Sequence, residues 1–99
     1  MPLLLDTGVL YALADRDDAW HGRARAYVER SHELAVEGLT TADLQRCREL
    51  VGDYPDIGFV DASVVAIAER LRLRRIATTD RRHFAQVRPR HVRAFDLVP

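Results

Sequence analysis

Apolar residues fall into two spacings along this chain, and each spacing predicts a different kind of element. Leu3 to Leu5 and Ile76 to Thr78 are short runs that stop at polar residues, the pattern of strands buried on both faces. Elsewhere apolar positions recur every three or four residues, as on one side of a helix. After Leu3–Leu5 the chain turns at Asp6, Thr7 and Gly8, and a helical stretch runs to about Ala14. Trp20, Ala24, Tyr27 and Val28 predict a helix ending near Arg30, with Asp17 or Asp18 as its cap. Leu34 to Val36 reads as a short strand. Thr40 to Asp43 opens a helix with Leu44, Cys47, Leu50 and Val51 on its apolar side, stopped by Gly52. Asp53 to Gly58 is a loop marked by Pro55 and Gly58. A helix from Val60 buries Ala62, Val65, Ala68 and Leu71 or Leu73. After the strand Ile76–Thr78, Thr79 and Asp80 form its exit and Arg81 to Phe84 a turn of helix. Val92 to Phe95 is the predicted last strand. Strands alternating with helices predict an α/β fold with a mainly parallel sheet flanked by helices.

The chain has 99 residues, enough for one core and not two. Its 47% hydrophobic content with 30% charged residues is that of a folded domain rather than a disordered chain. No apolar run approaches the roughly 18 residues of a membrane span. Asp6 follows Leu3–Leu5 with no basic leader, and Cys47 has no second cysteine to pair with, so a reducing cytoplasmic setting is expected.

Formal charge balances, with 15 basic and 15 acidic residues, yet every base is arginine. The lack of lysine excludes a phosphate loop built around one. Charge is also segregated: residues 1–69 carry a net −7 and residues 70–99 a net +7. A basic C-terminal third fits a polyanion-facing surface; a solvated face or an acidic protein partner explains it as simply.

Candidate chemistry rests on three aspartates in equivalent places. Asp6 and Asp80 each follow a predicted strand, and Asp61 lies in the first turn of a helix. Ligands of open parallel sheets collect beyond the carboxyl ends of the strands. Each aspartate alone reads as a cap or a turn residue. Gathered at one edge, the three repel one another and call for a cation, and Mg²⁺ or Mn²⁺ suits an all-oxygen set.

Three segments carry a resemblance to a family: Leu3-Leu4-Leu5-Asp6-Thr7-Gly8-Val9-Leu10, Gly58-Phe59-Val60-Asp61-Ala62-Ser63-Val64-Val65-Ala66 and Ile76-Ala77-Thr78-Thr79-Asp80-Arg81-Arg82-His83-Phe84. They resemble, in order, the recurring blocks of PIN-domain ribonucleases, most nearly the VapC toxins of bacterial toxin–antitoxin pairs. The resemblance implies a single PIN-like domain over 1–99, a three-layer sandwich. It implies an endoribonuclease in which Asp6, Asp61 and Asp80 are catalytic and hold one or two Mg²⁺ or Mn²⁺ ions, with Thr78 as a polar supporter of metal-bound water. The implied partners are RNA, such as tRNA or rRNA, a cognate antitoxin and a second copy of the chain.

The chain departs from that family at one place. Its members carry a Glu on a helix within a stretch that precedes the segment resembling Glu33 to Leu39, and here Ser31-His32 joins the flanking segments directly. Glu29, Glu33 and Glu37 do not match the missing position. A segment near 31–33 is therefore expected to be deleted or unaccounted for, and the competing reading is a catalytically dead remnant that keeps only antitoxin binding or dimerisation. Phosphoacceptor α/β domains also use strand-end aspartates, but they look for a lysine that this chain lacks.

Arg81 and Arg82, directly after Asp80, are candidate contacts for RNA phosphates. Histidines 21, 32, 83 and 91 have no metal-binding spacing and receive no ligand role, although His83 is the one beside an aspartate of the cluster. Cys47, Trp20 and Tyr27 read as packing residues.

Overall fold

The computed structural model describes residues 4–5, 15–28 and 37–98. Asp6, the helix expected before Ala14, the strand expected at Leu34–Val36 and the Ser31-His32 junction lie outside the described residues.

Three strands, β1 (Leu4–Leu5), β2 (Arg75–Ala77) and β3 (Asp96–Val98), form one parallel sheet in the order β1-β2-β3. Leu4 pairs with Ile76 and Leu5 with Ala77, while Arg75, Ile76 and Ala77 face Asp96, Leu97 and Val98. The helices are α1 (His21–Val28), α2 (Thr41–Asp53), α3 (Phe59–Leu71) and α4 (Arg81–Gln86). The expected α/β class with a parallel sheet is what the chain adopts.

Asp18 precedes α1 as expected, its Oδ1 accepting from the Trp20 amide at 2.8 Å. At α2, Thr40 and Asp43 form a reciprocal capping box: the Asp43 amide donates to Thr40 Oγ1 at 3.1 Å and the Thr40 amide to Asp43 Oδ2 at 3.0 Å. The helix does not stop at Gly52. It runs to Asp53 and ends at Tyr54, extended at φ −125° and ψ 90° because the ring of Pro55 crowds the helical conformation of the residue before it. At the far end of α3, Arg72 takes the left-handed conformation (φ 56°, ψ 41°) that glycine more often supplies.

The core joins α2, α3, the sheet and the segment after it: Cys47, Leu50, Ile57, Ala62, Val65, Ala66, Ala68, Ile76, Phe84 and Val87 pack together. Cys47, Leu50, Ala62, Val65 and Ala68 are the expected ones. Leu44 and Val51 are not in it, at 47% and 42% exposure. The position beside Leu44 that turns inward belongs to Asp43, which is 3% exposed and held by Arg70, whose Nε reaches both carboxylate oxygens at 3.0 and 3.2 Å. Leu71 is likewise at the surface, and Leu73 is half-buried. The last strand begins after Phe95 rather than at Val92. Val92 to Ala94 are irregular, and the ladder starts where the Asp96 amide donates to the Arg74 carbonyl at 2.9 Å.

Ion pairs tie the two long helices together. Arg46 of α2 grips Glu69 of α3 with two parallel bonds of 2.7 and 3.0 Å, and the Arg90 amide donates to the same carboxylate at 2.9 Å. Burial by itself pushes the Glu69 carboxyl up, but its bonds to Arg46 and the Arg90 amide, with the charges of both arginines, outweigh that and hold it below the usual glutamate range. Asp43 follows the same logic: burial raises it, and the Thr40 amide, Arg70 and the Thr40 hydroxyl bring it below its ordinary value. Burial, with Asp43 nearby, pushes the Cys47 thiol up, as befits an inert packing residue.

Candidate metal centre

Where β2 ends, the chain makes a tight, internally bonded turn. Thr78 is fully buried; its amide donates to the Val98 carbonyl at 2.7 Å and its hydroxyl accepts from the Asp80 amide at 2.9 Å. Thr78 thus fixes the backbone that presents Asp80. Asp80 in turn is the N-cap of α4, its Oδ1 accepting from the His83 amide at 3.3 Å. One carboxylate oxygen serves the helix, which leaves Oδ2 turned to the neighbouring side chains.

Asp61 reaches the same place from α3. It sits in the first turn of that helix, where unpaired amides favour negative charge, and its side chain is 20% exposed. Between the carboxylates lies His83: Nδ1 is 2.6 Å from Asp80 Oδ2 and 3.3 Å from Asp61 Oδ2. Despite these short distances Nδ1 makes no aligned hydrogen bond, since the oxygens lie off the direction in which a ring N–H points. The three donor atoms lie within 4.8 Å of one another.

That donor set suits a divalent ion. Two anionic oxygens would supply charge, and the imidazole Nδ1 a lone pair when the ring proton sits on Nε2. Of the residues singled out from the sequence, Asp61 and Asp80 come together and Thr78 sits beneath Asp80. Arg81 and Arg82 are exposed on the first turn of α4 beside it. Asp6 lies outside the described residues. His83 was left out of the ligand set on spacing alone. The signal for it was its place three residues after a capping aspartate, which puts the two on one side of a helical turn.

The class these features define is a parallel α/β domain with a metal-competent cluster at the carboxyl edge of its sheet. Over 69 residues the chain is 41% identical to Ribonuclease VapC26 of Mycobacterium tuberculosis, a match covering 68% of this chain and 50% of that protein. The chain belongs to the VapC-type family of PIN-domain proteins. It spans about half the length of the curated relative it matches. No protein-family profile matches it.

Proposed function

We propose that this chain is a Mg²⁺- or Mn²⁺-dependent endoribonuclease toxin that hydrolyses RNA phosphodiester bonds and is neutralised by a cognate antitoxin. The observation that carries the reading is the convergence of Asp61, Asp80 and His83 on one point, in a chain related to a named ribonuclease. Asp6, Asp61 and Asp80 are the proposed catalytic ligands. A divalent ion held by these carboxylates would supply an activated water near neutral pH and offset charge on the phosphorus. The protein's own part is to hold that centre still. Thr78, expected as a supporter of metal-bound water, is buried and instead locks the Asp80 turn, the first turn of α3 offsets the charge of Asp61, and His83 stands between the two carboxylates. Arg81 and Arg82 receive the flanking phosphates of a tRNA or rRNA segment. The acidic cluster equally suits an arginine-bearing antitoxin segment, and a cytoplasmic homodimer with a PIN-like three-layer sandwich over 1–99 completes the proposal. No helix among the described residues is long and apolar enough to cross a membrane.

The second reading, a remnant that binds antitoxin without cutting RNA, is favoured by the glutamate of the resembling family that has no match near Ser31-His32. Cleavage of total tRNA and rRNA with Mn²⁺, for the wild type, for D61N/D80N and with EDTA, separates the two. Cleavage by the wild type alone, lost with EDTA, is expected. No cleavage by any sample, with Mn²⁺ binding intact, would move the chain to the second reading.

A further inference from the structure

The opposite edge of the sheet carries a charge pattern that the metal centre does not use. The segments Arg72–Arg74 and Arg90–Asp96 are bonded side by side there: His91 Nε2 meets the Leu73 carbonyl at 2.8 Å and the Asp96 amide donates to the Arg74 carbonyl at 2.9 Å. Between them opens a cavity of about 460 Å³ lined by Arg74, Val92, Arg93, Ala94, Phe95 and Asp96. Its one acid is already neutralised, Asp96 Oδ2 lying 2.9 Å from Arg75 Nε. Arg72, Arg74 and Arg93 are exposed, and among the described residues their guanidinium groups have neither an ion pair nor a hydrogen bond. The other arginines of this side are engaged, Arg90 with Glu49 at 2.7 Å and Arg70 with Asp43. Arg74 and Arg93 at the cleft, with Arg72 two residues before Arg74, offer uncompensated guanidinium groups to an anion that carries several charged oxygens.

We infer that the amino edge of the sheet, through Arg72, Arg74 and Arg93, is a second contact surface for the phosphate backbone of single-stranded RNA, apart from the metal centre at the carboxyl edge. This rests on the nuclease reading for the identity of the polyanion. RNA is favoured over an acidic protein segment because the cations are arginines spaced along two neighbouring stretches of backbone, each open to a separate phosphate. The two edges are separated by the length of β2 and its flanking residues. From Arg74 to Asp80 that is up to about 20 Å at about 3.3 Å per residue. A strand of roughly six stacked nucleotides, at about 3.4 Å each, is the shortest that touches both.

The test is fluorescence anisotropy of labelled single-stranded RNAs of about four and about twelve nucleotides on the full chain in EDTA, across a salt series. The wild type is expected to bind the longer RNA more tightly. R74Q/R93Q should weaken that binding about ten-fold, lower the salt slope by about 2 and remove the length advantage. R74K/R93K, which keeps the charge, should keep the slope. Circular dichroism checks the fold, and R93Q alone, with a slope change of about 1, serves if the double variant does not fold. Unchanged affinity and slope in these variants would overturn the inference. So would poly-glutamate competing as well as RNA of equal charge, which would assign the edge to an acidic protein. Arginine-dependent binding without any cleavage would sink only the nuclease reading, and cleavage with arginine-independent binding only this one.

Discussion

Asparagine caps a helix about as well as aspartate but brings no charge to a cation, and Asp80 serves both purposes at one position. Asp80→Asn should therefore leave thermal stability within about 1 kcal/mol of wild type while lowering Mn²⁺ affinity at least about ten-fold. Calorimetry on the same sample reads both. An equal loss of stability and affinity would mean that Asp80 matters only to the turn. Thr78 makes the complementary case. Its hydroxyl is buried against the Asp80 amide, so Thr78→Val, nearly isosteric, leaves that amide without its acceptor and should cost about 1–3 kcal/mol. Denaturant unfolding measures it. His83 was the residue that spacing did not reveal, because its importance depends on Asp61, which arrives from a different helix. Its closeness to Asp80 is written locally, three residues apart at a helix start, whereas its approach to Asp61 is cross-element geometry that no local pattern carries.

At the scale of elements, the strongest prediction concerns acid. Glu69 and Asp43 both titrate below their ordinary values in the folded protein, so each contributes stability that is complete above its unfolded value, near pH 4, and is lost as pH falls through the lower folded value. Unfolding free energy should fall steeply below about pH 4. Glu69→Gln should flatten that dependence and lower stability at neutral pH by about 3 kcal/mol, since it leaves Arg46 with only the more exposed Glu49 as its carboxylate partner. Urea titrations between pH 2 and 7 check both parts. Much of this layer was legible. Apolar spacing located α3, β2 and the inward residues Cys47, Leu50 and Val65, because those positions answer to burial alone. It misplaced Leu44 and Val51 because a buried ion pair at Asp43 rotates which positions of α2 face inward, and no hydropathy pattern assigns an inner place to an aspartate. Gly52 was a weaker stop than Pro55, which acts sterically on its neighbour whatever the surroundings. Asp61 and Asp80 stood out because carboxylates at strand ends and helix starts are paired with the sheet edge by topology.

For the molecule as a whole, the missing glutamate and the Ser31-His32 junction lead us to expect an additional internal segment. The intact protein from its native source should then weigh clearly more than the 11.3 kDa of this sequence. A mass of 11.3 kDa would favour the remnant reading instead. The register of the sheet bears on something else again, the moment at which the site can exist. Leu4 and Leu5 leave the ribosome long before their partners Ile76 and Ala77 are made. Closing so long a loop is slow, and domains assemble from the nascent chain only as their parts emerge at about 5–20 residues per second. Among the described residues, the strand that leads to Asp6 pairs with one that is made only after Asp61 and just before Asp80. A nascent chain therefore holds Asp61, Asp80 and His83 together only once the segment after β2 has emerged, and under the proposed reading its chemistry waits for that moment.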